Sequence, residues 1–510
     1  MYQPNGPRRD GQAQTVDLGE AILAPVDSKA EGEPPTLGED GNRPNGCSGS
    51  WNTPHARAYE NGEGDSMNIP GEKLDEIIEK CKLEIKKNPK NWMYHHDLAV
   101  AYMGKNMFNE ALAEFEETLR LDPRNISAHY LIGVTFAEQD KLDEAQGHFK
   151  EVIKLNPRHA HAHFNLGKIY TARGMWDGAI HEFKKAVEYD PENKHPLALM
   201  HLGEVHLMIG QLEEAIKVWT KAASINPDDA RVHQLLGGAF LDQGDLEQSV
   251  FESRQALQLD ANLPLPYFNI GLAFFRQGQL PKATEAFKKA TELDPKDPRI
   301  ISTLGEAHAV AGNMKDAESC WEKALELDPK FPDALYNLGL AQAQRGDLEG
   351  AERQWQQTIE IAPGYSKAYI NMAVSRLRKG DQAGSIQWWE KLGELEKDNP
   401  DVPVNIAEIK IRQNDLNGAR AEVDRALQLN AKYPRAFLDL GIIQARSGEP
   451  APAVASWKKG AELLPGFPGP LAPLVRQLVS REVLNRTQDQ ARKAGDTKGA
   501  EVVGELLKHA

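Results

Sequence analysis

Histidine is the residue whose number and spacing first suggest chemistry here, because imidazole is a common metal ligand and proton carrier. His159, His161 and His163 alternate along the chain, and His195 and His201 follow further on. Residues two apart on a helix point about 200° apart, so three alternating histidines cannot face one ion. Only His159 and His163 could share a face, and His159 is expected to precede the helix. We therefore predict no metal site.

Motifs for other kinds of catalysis are missing from the sequence. Cys47, Cys81 and Cys320 lie far apart and form no Cys-x-x-Cys pair, which argues against a disulfide framework or a thiolate metal site. The sequence has no G-x-x-x-x-G-K-[ST] phosphate loop, no H-E-x-x-H zinc motif and no G-x-S-x-G nucleophile motif. We predict that the chain is not an enzyme and requires no cofactor.

Composition narrows the range of partners. The chain has 510 residues, of which 40% are hydrophobic, and a formal net charge of −15. An acidic protein is a poor ligand for duplex nucleic acid, which attracts clustered Lys and Arg. No stretch approaches the roughly 20 apolar residues that a membrane-spanning helix needs. We expect a cytoplasmic protein with no nucleic-acid partner and no membrane insertion.

The elements that carry these residues repeat along the chain. Residues 264–297 predict two amphipathic helices that approach each other at the small residues Gly271 and Ala283, with Phe287 filling the space between them. Pro295 then ends the second helix. The first small residue recurs at intervals of 34 residues, broken once by 36, at Ala99, Gly133, Gly167, Gly203, Gly237, Gly271, Gly305, Gly339, Ala373, Ala407 and Gly441.

Three further positions keep the same interval. The second small residue lies at Ala111, Ala145, Ala179, Ala215, Ala283, Ala317, Ala351, Ala419 and Ala453. An aromatic residue four places later lies at Phe115, Phe149, Phe183, Trp219, Phe287, Trp321, Trp355, Trp389 and Trp457. A closing proline lies at Pro123, Pro157, Pro191, Pro227, Pro295, Pro329, Pro363 and Pro465. This helix–turn–helix period resembles the tetratricopeptide repeat family, over eleven repeats from Trp92 to Phe467.

The resemblance implies an all-α fold, a right-handed α-solenoid superhelix in which each helix pair packs on the next. We expect the tetratricopeptide repeats to occupy residues 92–467, with an N-terminal capping half-repeat helix at 69–91 and C-terminal capping helices at 468–510. Residues 1–68 are acidic and rich in Gly and Pro, so we expect a disordered tail there.

The resemblance also implies that the first helix of each repeat lines a concave groove. The residue two places before the first small residue should face that groove, and it is asparagine in five repeats. An amide both donates and accepts hydrogen bonds, so spaced amides could pair with the main chain of an extended peptide. Asparagine could equally be a frequent resident of this position without a role in binding. The five residues, called here the asparagine ladder, are Asn165, Asn269, Asn337, Asn371 and Asn405.

Apolar and basic residues flank the ladder and complete the predicted peptide-binding groove. Aromatic rings beside the amides could form a floor for an amphipathic helix or for spaced apolar anchors, although some of them must pack internally. The candidate aromatic residues are Tyr130, Phe164, Phe268, Phe275 and Tyr336, and the candidate basic residues are Arg276 and Arg378.

Three kinds of function remain open at this point. The leading hypothesis is a noncatalytic scaffold whose groove binds segments of other proteins. The second is a homo-oligomer in which the tail or end of one protomer docks in the groove of another. The third is a structural subunit that holds catalytic partners in a multi-protein enzyme complex.

Overall fold

The computed structural model describes residues 71–190, 195–464 and 472–508, and every regular element in these ranges is an α-helix. The predicted disordered tail at 1–68 lies outside them. The helices are α1 (Gly71–Lys87), α2 (Trp92–Gly104), α3 (Phe108–Leu121), α4 (Ile126–Glu138), α5 (Leu142–Leu155), α6 (Ala160–Ala172), α7 (Trp176–Tyr189), α8 (Pro196–Met208), α9 (Leu212–Ile225), α10 (Ala230–Gln243), α11 (Leu246–Leu259), α12 (Pro264–Arg276), α13 (Leu280–Leu293), α14 (Pro298–Val310), α15 (Met314–Leu327), α16 (Pro332–Gln344), α17 (Leu348–Ile361), α18 (Ser366–Arg378), α19 (Gln382–Leu395), α20 (Asp401–Arg412), α21 (Leu416–Leu429), α22 (Pro434–Arg446), α23 (Pro450–Leu463), α24 (Ala472–Leu478), α25 (Arg481–Lys493) and α26 (Thr497–Lys508).

Two compact blocks share the described residues. The N-terminal block ends at Gln279 and the C-terminal block begins at Leu280. Within each block the two helices of a repeat pack together, and the second helix packs on the first helix of the next repeat. The predicted all-α fold of tandem helix pairs is confirmed. Across the described ranges, no helix is both long and apolar enough to cross a lipid bilayer.

The turn between the two helices of a repeat has the same backbone conformation each time. One residue per turn has a positive φ, for example +74° at Gly210 and +78° at Gly448. Glycine adopts this left-handed conformation without a steric penalty, and asparagine and aspartate tolerate it best among the other residues. The same position is accordingly taken by Asn106, Asp140 and Asn414 in three repeats.

Six of the described repeats show a close approach between the first small residue and the aromatic ring of the second helix. A Cβ atom added at Gly339 would lie 2.5 Å from Nε1 of Trp355, and one added at Gly167 would lie 2.7 Å from the Phe183 ring. Both rings are completely buried. The first helix therefore needs glycine here, because the ring occupies the volume that a side chain would fill.

Tryptophan at the aromatic position adds a hydrogen bond between the two helices. Trp355 Nε1 donates to the carbonyl oxygen of Tyr336 at 3.2 Å, and Trp219, Trp321 and Trp457 make the equivalent bond. Among the described tryptophans at this position, only Trp389 has an Nε1 atom that is buried without a hydrogen-bond partner. Its repeat is also the one with Ala373 in place of glycine, which places a methyl group where the other indoles approach.

The fifth repeat replaces the aromatic ring with a small side chain. A Cβ atom added at Gly237 would lie 2.4 Å from Oγ of Ser253. The hydroxyl of Ser249 donates to the Gly237 carbonyl oxygen at 2.7 Å. Both serines are completely buried. The first helix therefore needs glycine here as well, because a serine hydroxyl occupies the volume that a side chain would fill.

A recurring histidine joins each of several repeats to the turn before it. His163 bonds Glu182 through Nδ1 at 2.6 Å and the Pro157 carbonyl oxygen through Nε2 at 3.0 Å. The pairs His95 with Glu114 and His233 with Glu252 have the same arrangement. In the second repeat His148 occupies the glutamate position, and its Nδ1 lies 3.1 Å from Nδ1 of His129. These histidines therefore support packing between helices.

The helices α25 and α26 form a further helix pair after the eleventh repeat. Gly495 has a positive φ like Gly448, which it follows by 47 residues instead of 34. The large and small residues are exchanged, because Gln488 stands at the glycine position and Gly504 at the aromatic position. A Cβ atom added at Gly504 would lie 2.7 Å from Gln488 Nε2, which donates to the Ala500 carbonyl oxygen at 2.9 Å. The extra residues between the two pairs include the short helix α24.

Trp389 and Trp355 occupy the same position in their repeats but differ in hydrogen bonding, so substitution should affect their stability differently. We expect Trp389→Phe to destabilise the chain less than Trp355→Phe, by about 1–3 kcal/mol, because the two changes remove equal volume but only Trp355 loses a hydrogen bond. Thermal denaturation followed by circular dichroism at 222 nm measures the difference. Equal losses in the two variants would show that the Trp389 N–H finds a partner in solution.

The contact between His129 and His148 should make the stability of the chain depend on pH. Burial, together with His129, lowers the pKa of His148. A histidine with a lowered pKa in the folded chain loses stability as the pH falls below its unfolded pKa of about 6.5. We expect His148→Glu, which recreates the pair seen in neighbouring repeats, to raise the melting temperature, with a larger gain at pH 5 than at pH 8. The control is His181→Glu at an exposed position. An equal rise in melting temperature in the control would show that the gain does not come from pairing with His129.

Candidate functional site

Consecutive first helices contact each other and form one side of the stack in each block. In the N-terminal block α6 contacts α8 and α10 contacts α12, and in the C-terminal block α14 contacts α16 and α20 contacts α22. The asparagine ladder lies on these first helices. We call the side that carries the ladder position the inner face.

Two residues of the ladder bind a tyrosine of the preceding repeat. Asn165 Nδ2 donates to the Tyr130 hydroxyl at 3.1 Å, and Asn371 Nδ2 donates to the Tyr336 hydroxyl at 3.0 Å. All four side chains are buried, and each pair is separated by 35 residues. The structure thus brings together four predicted site residues in two identical pairs. The amide donors link neighbouring repeats, and a bound peptide would have to compete for them.

The other three ladder residues differ in their accessibility. Asn405 is buried, and it donates from Nδ2 to the Asp401 carbonyl oxygen at 2.8 Å. Asn337 is half-buried and donates from Nδ2 to Glu306 at 3.1 Å. Asn269 is half-buried, and its Nδ2 would lie 3.6 Å from a Cβ atom added at Gly238. Asn269 and Asn337 are therefore the ladder amides that a partner can reach.

The remaining predicted residues lie on several first helices. Phe164 is half-buried with its ring 4.9 Å from that of His195, and Phe268 and Phe275 are half-buried on α12. Arg276 uses its guanidinium to bond the Leu241 carbonyl oxygen at 2.7 Å, which ties α12 to α10. Arg378 is half-buried on α18, and burial lowers the pKa of its guanidinium.

Several histidines surround Phe164 on the inner face of the N-terminal block. His159 and His195 immediately precede α6 and α8 and cap them, because Nδ1 of each accepts a hydrogen bond from a backbone N–H three residues later. Burial, reinforced by neighbouring histidines, lowers the pKa of His161 to about 3. Burial also lowers the pKa of His195 to about 4. Across residues 71–190, 195–464 and 472–508, no group of three or more His, Cys, Asp or Glu could hold a metal ion.

The inner face of the C-terminal block carries acidic groups that the spacing of the repeats does not single out. Asp333 accepts from the Tyr365 hydroxyl at 2.9 Å, and Glu306 accepts from Asn337. Burial, with a contribution from Asp333, raises the pKa of Glu306 to about 7. Both carboxylates are half-buried. Glu306 lies three residues after a ladder position and Asp333 four before one, a spacing that places both on the ladder face.

The polar residues on the inner face of α20 and α22 are more deeply buried than those of α14 and α16. Arg435 donates to Glu408 from Nε at 2.9 Å and from Nη2 at 2.5 Å, and Nη2 also donates to Asn405 at 3.0 Å. Asp439, at the ladder position of α22, has both carboxyl oxygens buried without a hydrogen-bond partner among the described residues. Burial and the nearby Glu408 raise the pKa of Asp439 well above its ordinary value.

Comparison with family models identifies the repeats. Two tetratricopeptide repeat models match residues 92–125 and 126–159. The model of the cilia and flagella-associated protein 70 C-terminal domain, a tetratricopeptide model, matches residues 150–368. No curated protein matches the chain significantly.

Solved structures with a similar arrangement of helices include MamA and the APC/C hetero-tetramer Cut9–Hcn1. One MamA structure is 26% identical with a TM-score of 0.30, and the match covers 34% of this chain and 92% of MamA. The match to Cut9–Hcn1 is 14% identical with a TM-score of 0.39 and covers 80% of this chain and 94% of that one. MamA from Desulfovibrio magneticus RS-1 is 22% identical with a TM-score of 0.31, over 33% of this chain and 95% of that one. The matched repeat models identify this chain as a member of the tetratricopeptide repeat family.

Proposed function

We propose that the chain is a noncatalytic scaffold that binds segments of partner proteins on the inner faces of its first helices. Tetratricopeptide repeats support a role in protein interaction in general. Binding on the inner face is supported chiefly by α14 and α16. There Glu306, Asp333 and Asn337 are polar residues that are only half-buried and within reach of solvent.

The polar groups on this face favour an extended partner segment with a basic side chain. Asn337 uses its amide N–H to bond Glu306, which leaves its amide oxygen directed away from that bond and able to accept from a peptide N–H. Glu306 and Asp333 repel each other as carboxylates, which contributes to the raised pKa of Glu306. A lysine or arginine placed between them would relieve the repulsion and make charge-assisted hydrogen bonds.

A second accessible position lies in the N-terminal block. Asn269 on α12 is half-buried and faces Gly238 on α10, where the absence of a side chain leaves the backbone approachable. Half-buried Phe268 and Phe275 lie on the same helix. An amide beside aromatic rings suits a segment that alternates main-chain hydrogen bonds with apolar anchors.

The two accessible amides provide the test of this proposal. We expect Asn269→Ala combined with Asn337→Ala to weaken binding of the protein partners captured by the full-length chain, by about 1–3 kcal/mol or roughly tenfold to a hundredfold in Kd. Partners recovered by affinity capture from the native source are identified by mass spectrometry, and their affinities are then measured by isothermal titration calorimetry.

The matched control replaces two asparagines in exposed loops, Asn262→Ala with Asn313→Ala. Partner affinity should remain that of the unchanged chain in this control. If both double variants bind partners as tightly as the unchanged chain, the inner-face amides do not recognise peptide and the proposal is wrong.

A further inference from the structure

The inner face changes from accessible to covered along the C-terminal block. On α22 the residue at the ladder position, the one four before it and the one three after it are Asp439, Arg435 and Ile442, which are 0%, 5% and 0% exposed. On α16 the same three positions are half-buried, at Asn337, Asp333 and Leu340. All three positions are therefore buried on α22 and half-buried on α16, and an additional element lies against α22.

The covering element is the short helix α24. It contacts α22 directly, and its Gln477 accepts a hydrogen bond at 3.2 Å from Nη2 of Arg412, the last residue of α20. Val475 and Leu478 on α24 are 0% and 8% exposed, and both belong to the apolar cluster that includes Leu438 of α22. The helix therefore lies against the last two first helices of the eleven repeats.

The helix α24 lies in an insertion that interrupts the regular spacing of the repeats. The positive-φ turn glycines Gly448 and Gly495 are 47 residues apart, which is 13 more than the usual interval of 34. The pair α25 and α26 packs on α23 and continues the series of helix pairs. Because α24 falls within the extra residues, it is an insertion between two helix pairs and has no counterpart in the other described repeats.

The cover has an electrostatic cost that an exposed inner face would not have. The Asp439 carboxyl is buried without a hydrogen-bond partner among the described residues, and burial of an unpaired polar group is unfavourable. Two further acidic residues, Glu408 and Asp401, lie near the single guanidinium of Arg435. An element that covers the inner face of α22 therefore packs there against an unfavourable contribution from the Asp439 carboxyl.

We propose that the inner face of α20 and α22 is a binding site for a short amphipathic helix, and that α24 of the same chain is its displaceable occupant. Val475, Leu478 and Val479 supply the apolar side chains, at a spacing of three and four residues that forms one helical stripe. A partner helix with the same stripe would compete with α24 for this face. The inference rests on the proposed function, since it assumes that inner faces bind peptide segments.

A peptide added in trans tests the site without any natural partner. The probe is a fluorescein-labelled synthetic peptide with the sequence of residues 469–480, and the full-length chain is titrated into it while anisotropy is measured. In the unchanged chain α24 occupies the site, which reduces the apparent affinity by the open fraction. We expect Val475→Asp with Leu478→Asp to expose the site and to bind the peptide at least about tenfold more tightly than the unchanged chain.

Two controls make the result specific. Asn485→Asp with Gln490→Asp adds the same charge at exposed positions of α25 and should bind the peptide no better than the unchanged chain. A peptide carrying aspartate at both apolar positions should bind none of the chains. Equal affinity in all three chains, or no binding in any, would overturn the proposal. The peptide titration does not use captured partners. Its failure can therefore be told apart from a failure of the proposed function.

Hydrogen exchange in an otherwise unchanged chain provides a second measurement, should the double variant fold poorly. Asp439→Leu replaces the buried carboxyl with an apolar side chain of similar shape, which makes opening of α24 less favourable. We expect amides of α24 in the unchanged chain to exchange before those of α23 and α25, and we expect Asp439→Leu to slow exchange of the α24 amides by several-fold. Exchange of α24 together with α25 in one step, or no slowing in the variant, would show that α24 is a fixed part of the fold.

Discussion

The fit between one missing side chain and one large one determines how the two helices of a repeat pack. At Gly441 an added Cβ atom would lie 2.2 Å from Trp457 Nε1, so the ring occupies space that any other residue would claim. The constraint concerns the space between the two positions, where an atom of one residue lies close to the Cβ position that the other lacks. Gly237 meets the Ser253 hydroxyl in this way, and in the last pair Gly504 meets the Gln488 amide, with the large and small residues exchanged. Each solution keeps the interior densely packed.

The fold was predictable from the sequence because its information is local and repeated. The spacing from Gly271 to Ala283 defines two helices and a turn, and the eleven occurrences confirm one another. The last helix pair escaped recognition as a repeat for two physical reasons. Its interval of 47 residues breaks the period, and its large residue, Gln488, stands on the opposite helix from the usual aromatic ring. A search for a fixed residue type cannot recognise a helix pair in which the large and small residues have exchanged places.

The sequence predicted which positions lie on the inner face, but it did not predict what each side chain there contacts. Asn165 and Asn337 occupy the same place in their repeats, yet Asn165 binds Tyr130 and Asn337 binds Glu306. Each partner belongs to the preceding repeat, so the fate of the amide depends on residues that the 34-residue period does not constrain. The acidic residues one turn from the ladder were missed because their importance comes from proximity to one another. Burial and electrostatic repulsion together shift the Glu306 pKa, and neither is visible in residue spacing alone.

Equivalent positions on the shared backbone can therefore carry opposite chemistry. Four residues before the ladder position, Arg435 places a guanidinium against Glu408 and stabilises its charge, whereas Asp333 at the same place adds a second carboxylate near Glu306. The backbone that positions these groups is periodic, but the charge presented to a partner changes from repeat to repeat. A segment lying along several repeats would meet an ordered series of amides, rings and charges, and its register would be selected by the places where its own side chains match that series. Specificity in such a scaffold resides in the aperiodic residues of a periodic fold.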